Sequence, residues 1–341
     1  MKQAIFFLFF FFLGCASTDS HRTVPTFSLE ELEKRTFDYF MATMDTVHYQ
    51  VLDRYPTRTF YSIAATGFGY AALPIGVEKK YITRDRAAHI ALHALRQLAA
   101  LPQNATSDAS GYKGFYYHFL DLKQAKRYKD VELSSIDTGL LMAGVLTLQS
   151  YFDRDNPQEK EIRNLADAIY RKVEWDWMLN DKGLLSHGWK PESGFIKHDW
   201  EGYNEAMILL ILAMGSPTHP IPDTCWANWT QTYEWLNFQG EKHLNFAPLF
   251  GHQYSQAFID FRGIQDDFMR KHSSDYFINS RKATYANRAY CIQNPKNFKG
   301  YSENIWGLTA CDGPGHKRLT INDLEYQFDG YSARGASAKY V

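Results

Sequence analysis

Ser134-Ser-Ile-Asp-Thr-Gly-Leu-Leu-Met-Ala-Gly-Val-Leu-Thr-Leu-Gln-Ser-Tyr-Phe152 is the stretch whose pattern decides the fold. Asp137, Leu141, Gly144 and Leu148 recur at i, i+4, i+7 and i+11, so they share one face of a helix. An acid stands at the N-terminal end of an otherwise apolar stripe. Working outward, the helical period returns again and again. Ser28 with Glu31 makes a capping box ahead of a pattern running to about Met44. Further patterns run from Ser62 to Val77, Thr83 to Leu101, Pro157 to Val173, Glu201 to Met214, Thr224 to Trp235, Gln253 to His272, Ser274 to Gln293 and Glu303 to Thr309. About ten helices, most of them strongly apolar on at least one face, predict an all-α fold.

Two segments, Gly114 to Leu120 and Leu184 to Phe195, alternate enough to be small strands or hairpins in the loops. There is no β-α-β rhythm. Gly67-x-Gly69-x-x-Ala72 matches a dinucleotide fingerprint, but it lies inside a helical pattern with no strand before it. It reads as close helix packing. No Pro/Ser/Gly linker splits the chain after its first residues, so residues 28–341 are expected to form one large domain.

Of the 341 residues, 45% are hydrophobic, 22% charged and 16% aromatic, which excludes disorder and collagen-like or coiled-coil architectures. Lys+Arg is 37 against Asp+Glu 38, so electrostatic capture of DNA, RNA or an anionic membrane is not expected. The 22 Tyr, 24 Phe and 8 Trp exceed what core packing alone calls for. Amphipathic rings also make flat walls for ligands, and the apolar C–H faces of sugars suit them.

The chain opens MKQAIFFLFFFFLGCASTDS, with an apolar run from Ala4 to Leu13 too short to span a bilayer. Phe12-Leu13-Gly14-Cys15 looks like a bacterial lipobox. Residues 1–14 are then a signal peptide, Cys15 carries a lipid, and residues 15–27 form a tether. Contact with the membrane is expected only through that lipid, with the protein in the periplasm or at the cell surface. Cys225, Cys291 and Cys311 allow at most one disulfide. Without C-x-x-C or H-E-x-x-H spacing, no metal and no cofactor are expected.

Glu201 and Glu205 continue into Ile208 and Leu212 at the spacing of the first stripe, so a second core-facing stripe also begins with carboxylates. Acids in first turns favour the helix dipole, which alone explains one such residue. Two acids one turn apart repel unless something separates their pKa values. A pocket is expected where these helix ends meet, with Glu201, Glu205 and Asp137 as catalytic candidates. Glycosidic bond cleavage needs such a pair: one carboxyl kept protonated as general acid, one ionised as base or nucleophile. Loops before helices add His187 and Trp189 in Ser186-His-Gly-Trp-Lys-Pro191, and His252, Gln253 and Tyr254 in Phe250-Gly-His-Gln-Tyr254. Trp189, Trp200 and Trp306 are candidate stacking platforms.

Long blocks of the chain resemble bacterial glucoamylase-like proteins, the group containing the β-1,2-glucanases of glycoside hydrolase family 144. They include Ser62-Ile-Ala-Ala-Thr-Gly-Phe-Gly-Tyr70, Glu132-Leu-Ser-Ser-Ile-Asp-Thr138, Ser186-His-Gly-Trp-Lys-Pro-Glu192 and Asp199-Trp-Glu-Gly-Tyr-Asn-Glu-Ala-Met207. Asn245-Phe-Ala-Pro-Leu-Phe-Gly-His-Gln-Tyr254, Ile259-Asp-Phe-Arg-Gly-Ile-Gln-Asp266, Asn279-Ser-Arg-Lys-Ala-Thr284 and Gly300-Tyr-Ser-Glu-Asn-Ile-Trp-Gly-Leu-Thr-Ala-Cys-Asp-Gly-Pro-Gly315 continue the match. The resemblance implies an (α/α)6 barrel and inverting hydrolysis of β-1,2-glucan to short oligosaccharides such as sophorose. It implies that Glu201 or Glu205 supplies the general acid, that Asp137 belongs to the pocket acids, and that Asp199 is an N-cap. Tyr203, Asn204, Arg262, Glu303 and Trp306, inside these blocks, join the substrate-binding candidates.

Members of that family continue past Gly330-Tyr-Ser-Ala-Arg-Gly335 with another helix pair, whereas this sequence stops at Val341. The expectation is a barrel lacking its last pair, either in a fragment or in a relative with an open barrel. Two other functions fit the same residues. A phosphorylase would replace water by phosphate, with Arg262 and His252 as its cradle. A non-catalytic glucan-binding lipoprotein would keep the aromatic pocket without a working carboxylate pair.

Overall fold

The computed structural model describes residues 28–339, so the signal peptide, the tether and Cys15 lie outside the described residues. Among these residues there are nine α-helices and a set of two- and three-stranded β-pairings. The long helices are α1 (Leu29–Thr43), α2 (Ile63–Glu78), α3 (Arg84–Ala100), α4 (Ser135–Tyr151), α5 (Pro157–Arg171) and α9 (Tyr276–Gln293). The short ones are α6 (Met207–Met214), α7 (Thr224–Thr230) and α8 (Asp267–Lys271). No helix among the described residues is long and apolar enough to cross a membrane.

Each long helix starts at a side chain that accepts a free N–H of the first turn: Ser28, Ser62, Thr83, Ser134, Asn156 and Asp275. Helix α2 packs along α4, and α4 along α6, forming one row. Helices α1, α3 and α5 cover that row, α1 and α3 against α2 and α5 against both α3 and α4. The row itself is apolar nearly all round, as helices buried on both sides must be. Leu73, Leu141, Met142, Val145, Leu148 and Leu209 are fully enclosed within it.

The contact between α2 and α4 is made by backbone. A Cβ placed on Gly144 would stand 2.1 Å from the carbonyl oxygen of Gly67, and one on Gly67 would stand 2.3 Å from that of Leu140. The dinucleotide-like glycines therefore serve helix packing, as their helical setting predicted.

Short strand pairs fix where α2 and α4 begin. Tyr61–Ser62 pairs with Phe119–Leu120, and Leu133–Ser134 pairs with Gly188–Lys190. The expected segments contribute Phe119–Leu120 and Gly188–Lys190 to these pairs, together with Phe115–Tyr116 and Gly194–Phe195, while Tyr61–Ser62 and Leu133–Ser134 lie outside them. Further hairpins at 235–244 and 317–328 were not anticipated.

Four helical expectations are corrected. Residues 201–206 form a turn, and α6 starts only at Met207, because Gly202 takes φ +71° and Asn204 Oδ1 accepts the N–H of Ala206. The segment from Gln253 to His272 breaks into one 3-10 turn at Ser255–Ala257 and the single short helix α8, interrupted where Gly263 takes φ +73°. Residues 303–309 are irregular, and the helix expected over 224–235 ends at Thr230 before a strand at Trp235–Phe238. Cys225, Cys291 and Cys311 are all free thiols.

Candidate active site

Helices α2 and α4 present their N-terminal ends to one pocket of about 500 Å³, and the turn ahead of α6 reaches it as well. Ser62, Ala65 and Phe68 come from α2 and its cap, Asp137 and Leu140 from α4, and Glu205 from the turn. Tyr39, Asp53, His118, Phe250, Tyr254 and Tyr331 complete the wall. Free N–H groups at helix starts favour negative charge, which suits a pocket furnished with carboxyls.

Asp137 is buried, and its environment favours an acceptor. Its Oδ2 receives the Ser134 hydroxyl at 2.5 Å and lies 3.6 Å from Nε2 of His118. The other ring nitrogen of His118 meets Glu132 Oε1 at 2.8 Å. Burial works against a charged imidazole here, but Asp137 and then Glu132 outweigh it and hold the His118 pKa up at about 9. Glu132 is in turn held below its ordinary value by His118, against its own desolvation. Donor atoms of His118, Glu132 and Asp137 lie within 4.8 Å of one another. Both ring nitrogens face carboxylates, so the cluster is an ion-paired triad in which the imidazolium has no lone pair to offer a cation.

Glu205 lives in the opposite environment. Burial raises its pKa from the ordinary 4.5 to about 7, with the nearby Asp137 charge adding to the shift. Desolvation likewise raises Asp53, while Arg54 and His118 pull it back. Tyr254 is pushed up to about 12 by burial, helped by Tyr331, Glu205 and Asp137. One carboxyl at the pocket is thus disposed to keep its proton while another is surrounded by donors, which is the arrangement acid/base chemistry requires.

The structure brings together Asp137, Glu205 and Tyr254 from the expected residues and distributes the others. Glu201 is exposed and outside the pocket wall, because the turn at 201–206 separates it from Glu205. Tyr203 is buried against Trp229, Tyr233, Tyr276 and His252, and Asn204 accepts bonds from Ala206 and Trp229. His187 stacks on Trp200 at 3.9 Å, and Trp200 is buried with its N–H on Ser135, so it fills core. Trp189 packs against Tyr112 and Trp177. Glu303 and Trp306 are exposed on an irregular segment.

His252 is buried, its pKa lowered by desolvation to about 3, with Nε2 bonded to the carbonyl of Phe246. It lines a separate pocket with Gln253, Gln256 and Arg281. Arg262 is exposed and bonded to Asp260, so it and His252 line different pockets rather than one phosphate cradle. Asp199 caps no helix, since α6 begins eight residues later. Asp53, Phe68, His118, Glu132 and Tyr331 were not expected at the site. His118 lay inside a segment read as a hairpin and Glu132 inside a matching block, but only strand pairing shows that they meet.

A family described as "Putative glucoamylase" matches residues 197–341. Over 318 residues the chain is 28% identical to the exo β-1,2-glucooligosaccharide sophorohydrolase (non-reducing end) of Parabacteroides distasonis, covering 83% of this chain and 42% of that protein. The chain thus spans less than half the length of this curated relative. The crystal structure of a β-1,2-glucanase from Parabacteroides distasonis aligns with a TM-score of 0.77 at 25% identity, over 92% of this chain and 46% of the other. An endo-β-1,2-glucanase from Chitinophaga pinensis, solved with sophorotriose and glucose, aligns at 0.75 and 26% identity, over 90% of this chain and 73% of the other. These agree with the resemblance read from the sequence blocks and with a helix-rich fold.

Proposed function

We propose, for a chain that resembles the glucoamylase-like and β-1,2-glucan-hydrolysing proteins along most of its length, that it hydrolyses β-1,2-glucan to short oligosaccharides such as sophorose. The observation that carries this reading is the opposed environments of Glu205 and Asp137 at one pocket. Glu205, held protonated up to about pH 7, donates its proton to the leaving glycosidic oxygen. Asp137, ionised beside His118 and Ser134, serves as the base that activates water, which gives inversion at the anomeric carbon. Phe68, Tyr254 and Tyr331 offer ring faces for the sugars.

On this reading the row of α2, α4 and α6 and the helices that cover it are part of an (α/α)6 barrel, and residues 28–341 belong to one catalytic domain. A lipid on Cys15 tethers it in the periplasm or at the cell surface.

The test is the product profile of the form starting after Cys15, incubated with linear β-1,2-glucan with and without phosphate. Phosphate-independent release of sophorose-type oligosaccharides, first seen as the inverted anomer by proton NMR, is the expected result. Phosphate-dependent turnover would mean a phosphorylase, and binding without products a glucan-binding protein.

A further inference from the structure

We propose that His118 is a positioning residue for this site: fixed by Glu132 on one ring nitrogen, it presents the other N–H to Asp137 and holds that carboxylate as the ionised partner of Glu205. The inference rests on the acid/base reading above.

The His118 N–H donates to the carbonyl of Glu132 at 3.0 Å, and the His118 carbonyl accepts from Ile63 at 3.4 Å. Residue 118 is therefore stitched between the start of α2 and the segment leading into α4. The ring stacks on Phe119 at 3.9 Å, which fixes its plane, and the Glu132 carboxylate at 2.8 Å fixes its rotation. A ring held on one nitrogen by a carboxylate aims the other in a fixed direction, and in the imidazolium that second nitrogen is an N–H donor.

That second N–H faces Asp137 Oδ2 at 3.6 Å, an ion-pair distance longer than a hydrogen bond. Asp53 is the other charge acting on His118, itself paired with Arg54 and near Asp312, and Lys190 acts on Glu132. Around Asp137 the remaining titratable groups are Glu205, Tyr254 and Tyr331. Glu205, Tyr254 and Tyr331 bring no positive charge, and Arg54 and Lys190 act on Asp53 and Glu132, so His118 is the cation that faces Asp137. Without it the Asp137 carboxylate loses the cation it faces, while Asp53 and Glu205 remain its acidic neighbours.

The experiment has one arm that needs no substrate. Long-range proton–nitrogen NMR of the labelled full chain follows the His118 ring through pH titration. Retention of both ring protons to about pH 9 is expected, falling toward the ordinary value of about 6.5 in Asp137→Asn. A ring that titrates near 6.5 in the native chain, or ignores Asp137→Asn, overturns the proposal.

The second arm is the pH profile of His118→Gln and of the milder Glu132→Gln on β-1,2-glucan. kcat should fall about tenfold to a hundredfold with KM little changed, and the acidic limb should move to higher pH. An equal loss at every pH means that His118 only packs, and also overturns it. If the native chain turns over no glucan, the hydrolase reading falls, while the NMR arm still decides the ion pair.

Discussion

The hydroxyl of Ser134 serves Asp137 twice: it accepts that residue's backbone N–H at 3.2 Å and donates to its Oδ2 at 2.5 Å. One serine therefore starts helix α4 and aims the carboxylate at its first turn. Ser134→Ala removes both. Loss of the cap is expected to cost about 1 kcal/mol in denaturant unfolding. Turnover should fall further than that loss explains, whereas Ser134→Thr, which keeps the hydroxyl, should retain most of both.

Glu205 gives a prediction with a definite sign. Its folded pKa is raised from the ordinary 4.5 to about 7, so the protonated form stabilises the fold below about pH 4.5, and that contribution is lost as pH rises through 7. Glu205→Gln should match the native chain in melting temperature at pH 4.5 and exceed it at pH 8. Each tenfold change in proton affinity corresponds to about 1.4 kcal/mol, reduced by whatever solvent reaches the carboxyl. The same variant should lose about a hundredfold or more in turnover. On the proposed hydrolysis, kcat of the native chain should decline above pH 7.

Arg84 and Glu159 make the opposite case. Glu159 is buried and accepts from Arg84 at 2.8 and 3.0 Å, and the guanidinium holds its pKa down at about 2. A depressed carboxyl contributes stability above its ordinary 4.5 that is lost as pH falls toward 2. Glu159→Gln leaves Arg84 partly unpaired beside α5 and should cost about 3 kcal/mol at pH 7. Its stability should vary less than that of the native chain between pH 4.5 and 2.

Gly144→Ala tests the helix row. The added methyl would stand 2.1 Å from the Gly67 carbonyl, where backbone leaves no room to yield. The expected cost is about 1–3 kcal/mol or more in chemical denaturation. Ala143→Gly, one residue away, should cost only the smaller helix-propensity difference of about 1 kcal/mol plus a lost methyl. Equal losses in the two variants would mean that the backbone contact matters little.

The helices readable from sequence were those with a polar cap ahead of a sustained apolar face, such as Ser134 before α4 and Asn156-Pro157 before α5. Where the period continued without a cap it misled. Glu201, Glu205, Ile208 and Leu212 keep helical spacing, yet Gly202 and Asn204 shape a turn through the first half. The same turn put Glu205 at the pocket and Glu201 outside it. Asp137 was recoverable because one helix carries both the acid and the stripe that locates it. His118 was not, because its importance comes from pairing between segments fourteen residues apart, which leaves no local period.

Contact between the Gly67 and Gly144 backbones also sets how closely the two helices that reach the pocket can lie. Side chains in a helix interface can repack around a substitution, shifting the helices by fractions of an ångström. Peptide groups already in contact have no rotamers to spend. The spacing between Ser62 on one helix start and Asp137 on the next is therefore tied to the thickness of two main chains. Substitutions in the lining leave that spacing alone, whereas a side chain at Gly67 or Gly144 would have to push the two helices apart.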